Sequence, residues 1–128
     1  MLNKRKRIPE AELDIMLIIW RENRRMTRAE IEAQINQQRP LAATTVLTFL
    51  ARLTDRGFLS VEKIGKTNYY SVQIPQEEYL RQESRYFLEK LYGGSAVRLI
   101  TSLYEDHALT GKELSELQDF INRTASGT

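Results

Sequence analysis

The stretch PLAATTVLTFLARLTDRGFLSVEKIGKTNYYS, residues 40–71, decides the fold because it joins an amphipathic helix to a β-hairpin. Its first apolar residues recur at i, i+3, i+4 and i+7, which predicts one buried helix face of Val46, Phe49, Leu50 and Leu53. Gly57 ends this helix, since glycine is the usual residue just past a helix end. Two strand-like runs follow, 58–64 and 67–72, joined by Gly65-Lys66. A helix, a tight stop and a hairpin with a basic tip are the order of a winged helix-turn-helix.

The opposite face of the same helix carries short hydroxyl groups and a guanidinium. Thr45, Thr48 and Arg52 recur there at i, i+3 and i+7, and Thr44 lies beside them. Such side chains suit the base edges and phosphates of a DNA groove. These four residues are the predicted DNA contacts of the helix.

Basic residues at the hairpin tip and at the N-terminus extend this prediction. Lys63 and Lys66 are expected to contact a phosphate backbone or the minor groove, although Glu62 near the hairpin tip is mildly unfavourable there. A solvated hairpin turn is the alternative. The run from Lys4 to Arg7 has two interpretations, a frayed terminus or an arm that contacts phosphates.

Two further helices are predicted before residue 40. The first opens at Pro9, and the acidic residues of its first turn, Glu12 among them, favour the positive end of the helix dipole. Its predicted inner stripe consists of Leu13, Met16, Leu17 and Trp20. Three isoleucines, Ile15, Ile18 and Ile19, widen this stripe, so the helix should be largely buried. The second begins at Met26-Thr27, with Thr27 as its N-cap and Glu30 at the capping-box position. It ends before Pro40, because the residue that precedes a proline avoids helical geometry.

Composition and charge bound the class of protein. The chain has 128 residues, enough for one domain or for a small domain with an appendage. Residues 1–74 carry 13 Lys/Arg against 8 Asp/Glu, whereas residues 75–128 carry 6 against 9. A basic front half and an acidic back half indicate that the front half meets a polyanion.

Several classes of function are disfavoured. The chain has no cysteine, which removes disulfides, thiolate metal sites and cysteine nucleophiles. Its one histidine, His107, stands beside two carboxylates between helices and is interpreted as solvated. Neither a glycine-rich phosphate loop nor an apolar run of roughly 20 residues is present, so we expect no enzyme, cofactor or membrane insertion, and a cytoplasmic protein.

Ile74-Pro75 is the predicted boundary between a winged-helix DNA-binding domain, 1–74, and a helical dimerisation region, 75–128. The predicted fold is therefore mainly α with a small β-hairpin wing, followed by C-terminal helices. Three helices of about 45 residues are too few for a core of their own, so a second copy is the expected partner; folding back on the winged helix is the alternative. The predicted dimer contacts are Leu80, Phe87, Leu88, Leu91, Leu99, Ile100, Leu103, Leu114, Leu117 and Ile121.

Four phrases of the sequence carry a family resemblance over residues 8–123. They are AELDIM at 11–16, TTVLT at 44–48, YYS at 69–71 and, most specific, FLEKLYGGS at 87–95. They resemble the penicillinase-repressor family, which contains the BlaI, MecI and CopY types. The resemblance implies a homodimeric winged-helix repressor that binds a dyad operator in double-stranded DNA, with contacts from the positions of Thr45, Thr48 and Arg52. Thr44 stands where relatives often have lysine.

The chain departs from this family at two points. Copper-responsive members carry paired C-terminal cysteines, which are missing here, so release by copper is not expected. In members that respond to β-lactams, a membrane sensor-protease cleaves an Asn-Phe bond. The matching pair is Ser102-Leu103, the candidate proteolytic switch, and it does not preserve that bond. Control of a β-lactamase operon and control of another signal-responsive operon therefore both stay open.

Two other functions are also open. A small-molecule effector at the dimer interface would be lined by Tyr79, Tyr86, Tyr92 and Tyr104, although aromatic residues between helices are more often plain packing. A winged helix that binds protein would expose apolar or acidic residues on the outer face of its third helix, where this chain has threonines and an arginine.

Overall fold

A computed structural model describes residues 7–126 and divides them into two compact units, one up to Glu83 and one from Ser84. The architecture is mainly α with a small β-sheet, as predicted. The elements in chain order are α1 (Glu10–Glu22), β1 (Met26–Thr27), α2 (Arg28–Ile35), α3 (Ala43–Asp55), β2 (Leu59–Ile64), β3 (Thr67–Val72), α4 (Gln76–Tyr92), α5 (Ala96–Glu105) and α6 (Gly111–Ser126).

The wing is an antiparallel sheet in the order β1-β3-β2. The predicted hairpin is confirmed, with Ile64 opposite Thr67 and a turn in which Gly65 has φ +65°. That positive φ suits a glycine at the first central position of a two-residue hairpin loop. The strand β1 was not predicted, because two residues are too short to show any periodicity. Its Met26 lies opposite Tyr70 and is fully buried.

Thr27 nevertheless acts as the predicted N-cap of α2. Its hydroxyl accepts a hydrogen bond from the Glu30 backbone N–H at 3.2 Å, and the Glu30 carboxylate accepts one from the Thr27 N–H at 2.9 Å. This second bond lowers the pKa of Glu30, because the N–H favours the charged carboxylate. The capping box thus fixes the point at which the chain leaves the sheet for the helix.

In the first unit, the inner faces of α1, α2 and α3 pack together with residues of the sheet to form the core. Val46, Leu50 and Leu53 of α3 are fully buried, as predicted, and Phe49 is partly buried against them. The prediction for α1 is wrong only at Leu17, which is 41% exposed. Met16 and the three isoleucines expected to widen the stripe, Ile15, Ile18 and Ile19, are fully buried. Leu13 and Trp20 are partly buried, and Glu12 is buried as well.

Tyr79, near the start of α4, packs against this core. Its ring centroid lies 5.7 Å from that of Trp20 and 5.6 Å from that of Phe58. Its hydroxyl accepts a hydrogen bond from the Ile8 backbone N–H at 3.3 Å, and its burial raises the pKa of the phenol. The Trp20 indole N–H donates to the Ile74 carbonyl at 2.9 Å. Tyr79 is therefore a core residue, not the lining of an effector pocket.

These contacts explain where the first unit ends. It continues to Glu83, past the expected boundary at Ile74-Pro75, because the first turns of α4 pack with the winged helix. The helix α4 itself runs without a break from Gln76 to Tyr92, past residue 83.

The second unit contains the rest of α4 with α5 and α6. Gly93 and Gly94, with φ of +57° and +86°, end α4, and the Ser95 hydroxyl caps α5 by accepting from the Arg98 N–H at 3.1 Å. Thr110 and Glu113 form a capping box at the start of α6: the Glu113 carboxylate accepts from the Thr110 N–H at 3.0 Å, and the Thr110 hydroxyl accepts from the Glu113 N–H at 3.1 Å. No residue from 84 to 125 is buried. The apolar stripes of this unit are formed but remain largely open to solvent.

Candidate nucleic-acid interface

The outer face of α3 is presented to solvent by the burial of the opposite face. Thr44, Thr48 and Arg52 are exposed, as the helical spacing predicted, while Thr45 is half-buried. The Thr48 hydroxyl donates to the Thr44 carbonyl at 3.0 Å. Its proton is therefore committed to the helix backbone, and what Thr48 offers a ligand is an acceptor oxygen and a methyl group.

Arg52 forms an ion pair with the buried carboxylate of Glu12, which the sequence pattern related only to the helix dipole of α1. Glu12 is only 1% exposed, and its two oxygens lie 3.7 Å from an Arg52 nitrogen and 3.2 Å from an Arg56 nitrogen. The Arg52 guanidinium also lies 5.9 Å from the centroid of the Phe49 ring. More than half of the Arg52 side chain remains exposed, so its other N–H groups are available to a ligand.

The sequence held one signal for this arrangement. Glu12 occupies the first position of the i, i+3, i+4, i+7 stripe with Ile15, Met16 and Ile19, all fully buried. A carboxylate inside an apolar stripe needs a cationic partner, because an unpaired buried charge is costly. Here the partners come from the third helix and the residue that follows it.

The wing carries two exposed lysines and one glutamate, Glu62, whose negative charge is partly offset by an arginine. Lys63 and Lys66 are exposed, and no carboxylate among residues 7–126 forms an ion pair with either. Glu62 lies 3.9 Å from Arg25, whose guanidinium stands 4.9 Å from the centroid of the Tyr69 ring. The unfavourable charge of Glu62 is therefore partly offset within the protein.

The arginines of the first unit are mostly engaged with its own carboxylates. Arg39 contacts Asp14 at 2.6 Å, Arg28 pairs with Glu32, and Arg7 pairs with Glu83 at 2.8 Å. Every arginine from residue 7 to residue 74 forms at least one such pair: Arg7, Arg21, Arg24, Arg25, Arg28, Arg39, Arg52 and Arg56. Of the basic run at the N-terminus, residues 4–6 lie outside the described part of the chain.

The ten predicted dimer contacts share one property, which is that none is buried. Leu91 is 62% exposed, Ile121 46% and Leu80 45%. Leu80 belongs to the first unit, whereas the other nine belong to the second. Their interpretation as an interface stays a prediction.

Ser102 and Leu103, the candidate proteolytic switch, lie inside α5. The Tyr92 hydroxyl donates to the Ser102 hydroxyl at 3.4 Å. Because a protease takes its substrate in an extended form, cleavage at this bond requires α5 to unwind locally. Tyr86 and Tyr104 are exposed, and His107 occupies an exposed turn with φ +63°.

No group of three His, Asp or Glu side chains suited to a metal ion occurs among residues 7–126. Within the same range, none of the helices combines the length and the apolar character needed to span a bilayer.

Comparison with known proteins agrees with this geometry. The family model described as penicillinase repressor matches residues 8–123. The penicillinase repressor of Staphylococcus aureus is 30% identical over 122 residues, 95% of this chain and 96% of the relative. The methicillin resistance regulatory protein MecI of Mammaliicoccus sciuri is 29% identical over 123 residues, 96% of this chain and 99% of the relative.

Two solved structures resemble more than half of the chain. The solution structure of the DNA-binding domain of the repressor BlaI is 28% identical, with a TM-score of 0.50, over 58% of this chain and 93% of that one. Monomeric Bacillus licheniformis BlaI in complex with the blaP half-operator is 27% identical, also at 0.50, over 59% and 90%. The chain therefore belongs to the penicillinase repressor family, whose members are DNA-binding transcriptional repressors rather than enzymes.

Proposed function

We propose that this protein is a homodimeric transcriptional repressor that binds a palindromic operator through α3 and the wing. The observation that carries the proposal is the two-faced α3. Its inner face is fully buried at Val46, Leu50 and Leu53, and its outer face offers Thr44 and Thr48 to solvent. The relative that was solved on DNA holds a half-operator with the corresponding domain, which supports the same role here.

Each outer group has a chemical task in this proposal. Thr44, Thr45 and Thr48 contact base edges or phosphates in the major groove, where hydroxyl groups serve as short polar contacts. Arg52 keeps one nitrogen near Glu12 and directs its remaining N–H groups to a phosphate or to a guanine. Lys63 and Lys66 neutralise backbone phosphates, so binding weakens as salt increases. A protein in this role works in the cytoplasm, where its DNA lies.

The second unit supplies the dimer contact. Its apolar side chains are exposed in a single copy, at Leu91 and Ile121 above all, and a two-fold partner would cover the same patch on both copies. Two copies would place two α3 helices one DNA turn apart, which matches a palindrome. The monomeric relative bound to one half-operator fits this stoichiometry, one copy for each half.

Relief of repression belongs to the same proposal. We place it in the second unit, because the dimer contact and the bond between Ser102 and Leu103 both lie there. A membrane sensor-protease acting at this bond, in a β-lactamase operon or another signal-responsive operon, would remove α6 and part of the dimer contact. An effector between the two copies would act on the same surface, near Tyr86 and Tyr104.

Selection of bound sequences from a random DNA library, with the full-length protein, tests the proposal. A palindromic consensus is the expected result. Arg52→Ala should then weaken binding to that consensus by about 1–3 kcal/mol, the cost of one lost polar contact to a base. Recovery of no consensus, with only salt-sensitive binding, would overturn the repressor assignment.

A further inference from the structure

Leu47 is a large apolar residue on the face of α3 that the proposed function turns toward DNA. It is 44% exposed, although Val46, Leu50 and Leu53 of the same helix are fully buried. At 100° per residue, Leu47 lies along one edge of the outer face and Arg52 along the other. Thr44, Thr48, Ala51 and, in the last turn of the helix, Asp55 lie between these two edges. Leu47 therefore has no place in the core and stands among the groups assigned to the groove.

The chemistry of this face is unusually rich in methyl groups and poor in free donors. Leucine offers no hydrogen bond, and Ala51 is exposed beside it with only a methyl group. Thr48 has already committed its proton to the Thr44 carbonyl at 3.0 Å. On the far edge, Arg52 is drawn toward Glu12 at 3.7 Å. The half of the face around Leu47 can therefore gain affinity by apolar contact more readily than by hydrogen bonding.

Only one base in unmodified DNA presents an apolar group in the major groove, and that group is the C5-methyl of thymine. Adenine, guanine and cytosine present donors or acceptors and no methyl group there, whereas thymine presents its methyl group beside the O4 acceptor. A hydrogen-bonding group desolvated against leucine is penalised, whereas the thymine methyl is removed from water favourably. Contact with Leu47 therefore favours thymine over the other three bases through the burial of its methyl group.

We propose that Leu47 is a specificity-determining residue that reads a thymine methyl in each half of the operator. This inference rests on the proposed function and adds the chemical identity of a base at the contact of α3. It predicts that the operator carries a thymine near the N-terminal half of the bound α3. It also predicts that the methyl group of that base, and not its hydrogen-bonding edge, carries the preference.

Replacement of thymine by uracil provides the test, because it removes the C5-methyl and keeps every hydrogen-bonding group. In the selected operator, each thymine of a half-site is replaced in turn, symmetrically in both halves. At the position read by Leu47 we expect about a fourfold loss of affinity per half-site, or about 16-fold for the palindrome, since a buried methyl is worth about 0.8 kcal/mol. Other positions should change little.

Leu47→Ala is the protein half of the same experiment. The variant should bind the thymine operator more weakly and should no longer distinguish thymine from uracil at that position. Its affinity for random DNA and its salt dependence should be unchanged, because leucine carries no charge. Leu17→Ala is the matched control, since Leu17 is 41% exposed on α1, away from this face, and should keep the full uracil penalty.

The outcomes separate the two proposals. A palindromic consensus whose uracil penalties persist in Leu47→Ala would overturn the role of Leu47 and leave the repressor assignment standing. A consensus that shows no uracil penalty at any position would do the same. Failure to obtain any consensus would overturn both.

Discussion

Replacement of Glu12 by glutamine perturbs the one buried carboxylate side chain among residues 7–83 while keeping the size of the side chain. Glu12 lies 3.7 Å from an Arg52 nitrogen and 3.2 Å from an Arg56 nitrogen, and it is 1% exposed. Glutamine cannot offset two guanidinium groups, so both arginines lose their counter-charge. We expect a clear loss of stability together with a looser end of α3.

The size of the loss follows from the exposure of the partners. Breaking a fully buried pair costs about 3–5 kcal/mol, whereas an exposed pair contributes about 0–1 kcal/mol. The side chains of Arg52 and Arg56 are 55% and 32% exposed, so water can solvate them once the carboxylate is gone. We therefore expect Glu12→Gln to lower the free energy of unfolding by about 2 kcal/mol. For a unit of this size, that lowers Tm by roughly 8–16 °C.

Urea unfolding followed by tryptophan fluorescence measures this effect in the right part of the molecule. Trp20 is the only tryptophan of the chain and packs against Tyr79 in the first unit. The midpoint should fall while the slope of free energy against urea stays unchanged, as for a loss of stability without a change in the surface exposed on unfolding.

A matched control lies two residues earlier, on the exposed surface of the same helix. Glu10 pairs with Arg39 at 3.2 Å, but its side chain is 86% exposed, so Glu10→Gln should cost less than about 0.5 kcal/mol. A cost equally small for Glu12→Gln would refute the reasoning. So would strict additivity of Glu12→Gln with Arg56→Ala, because residues in one ion-pair network should show a coupling energy.

Three other substitutions have defined expectations. Thr27→Ala removes the hydroxyl that caps α2 and should cost about 1 kcal/mol in the same urea assay; no loss would mean that the bonds with Glu30 do not stabilise the helix. Tyr79→Phe tests how stability depends on alkaline pH. Burial raises the pKa of Tyr79, so the contribution of its neutral phenol to stability is intact below the unfolded-state pKa and is lost as pH rises through the folded pKa. The variant should therefore lose less stability than the parent above about pH 10, and parallel pH profiles would exclude this role. Leu91→Asp should sediment as a monomer and bind the operator far more weakly, whereas a persistent dimer would remove Leu91 from the interface.

Strong periodicity made α3 and the hairpin predictable from the sequence. The stripe of Val46, Leu50 and Leu53 contrasts with a polar outer face, so only one helix orientation buries it. Glycine at the hairpin turn fixed the pairing of β2 with β3. By contrast, α1 is apolar over most of its circumference, so the pattern did not show that Leu17 lies outside the buried face. The strand β1 was too short to produce a pattern.

The position of the candidate site was predictable from the sequence, but the ion pairs of its side chains were not. Exposure of Thr44 and Thr48 followed from helical spacing, while Thr45 proved half-buried because it lies at the border beside Phe49. The ion pairs of Arg52 depend on a residue 40 positions earlier in the chain, and no local pattern reports such a contact. Helical spacing already places Leu47 at the edge of the outer face, but an apolar residue there was not assigned a role until its 44% exposure was known.

The pairing of the first unit's arginines with its own carboxylates bears on how the protein would find its target in a chromosome. Lys63 and Lys66 are the wing cations that lack an internal ion pair among the described residues, so random DNA meets fewer free charges than a count of basic residues suggests. A genome offers on the order of 10⁶–10⁹ competing sites, and each weakly held site retains a searching protein only briefly. Because these arginines are neutralised within the protein, a larger share of its copies would stay off random DNA and be free to occupy the operator.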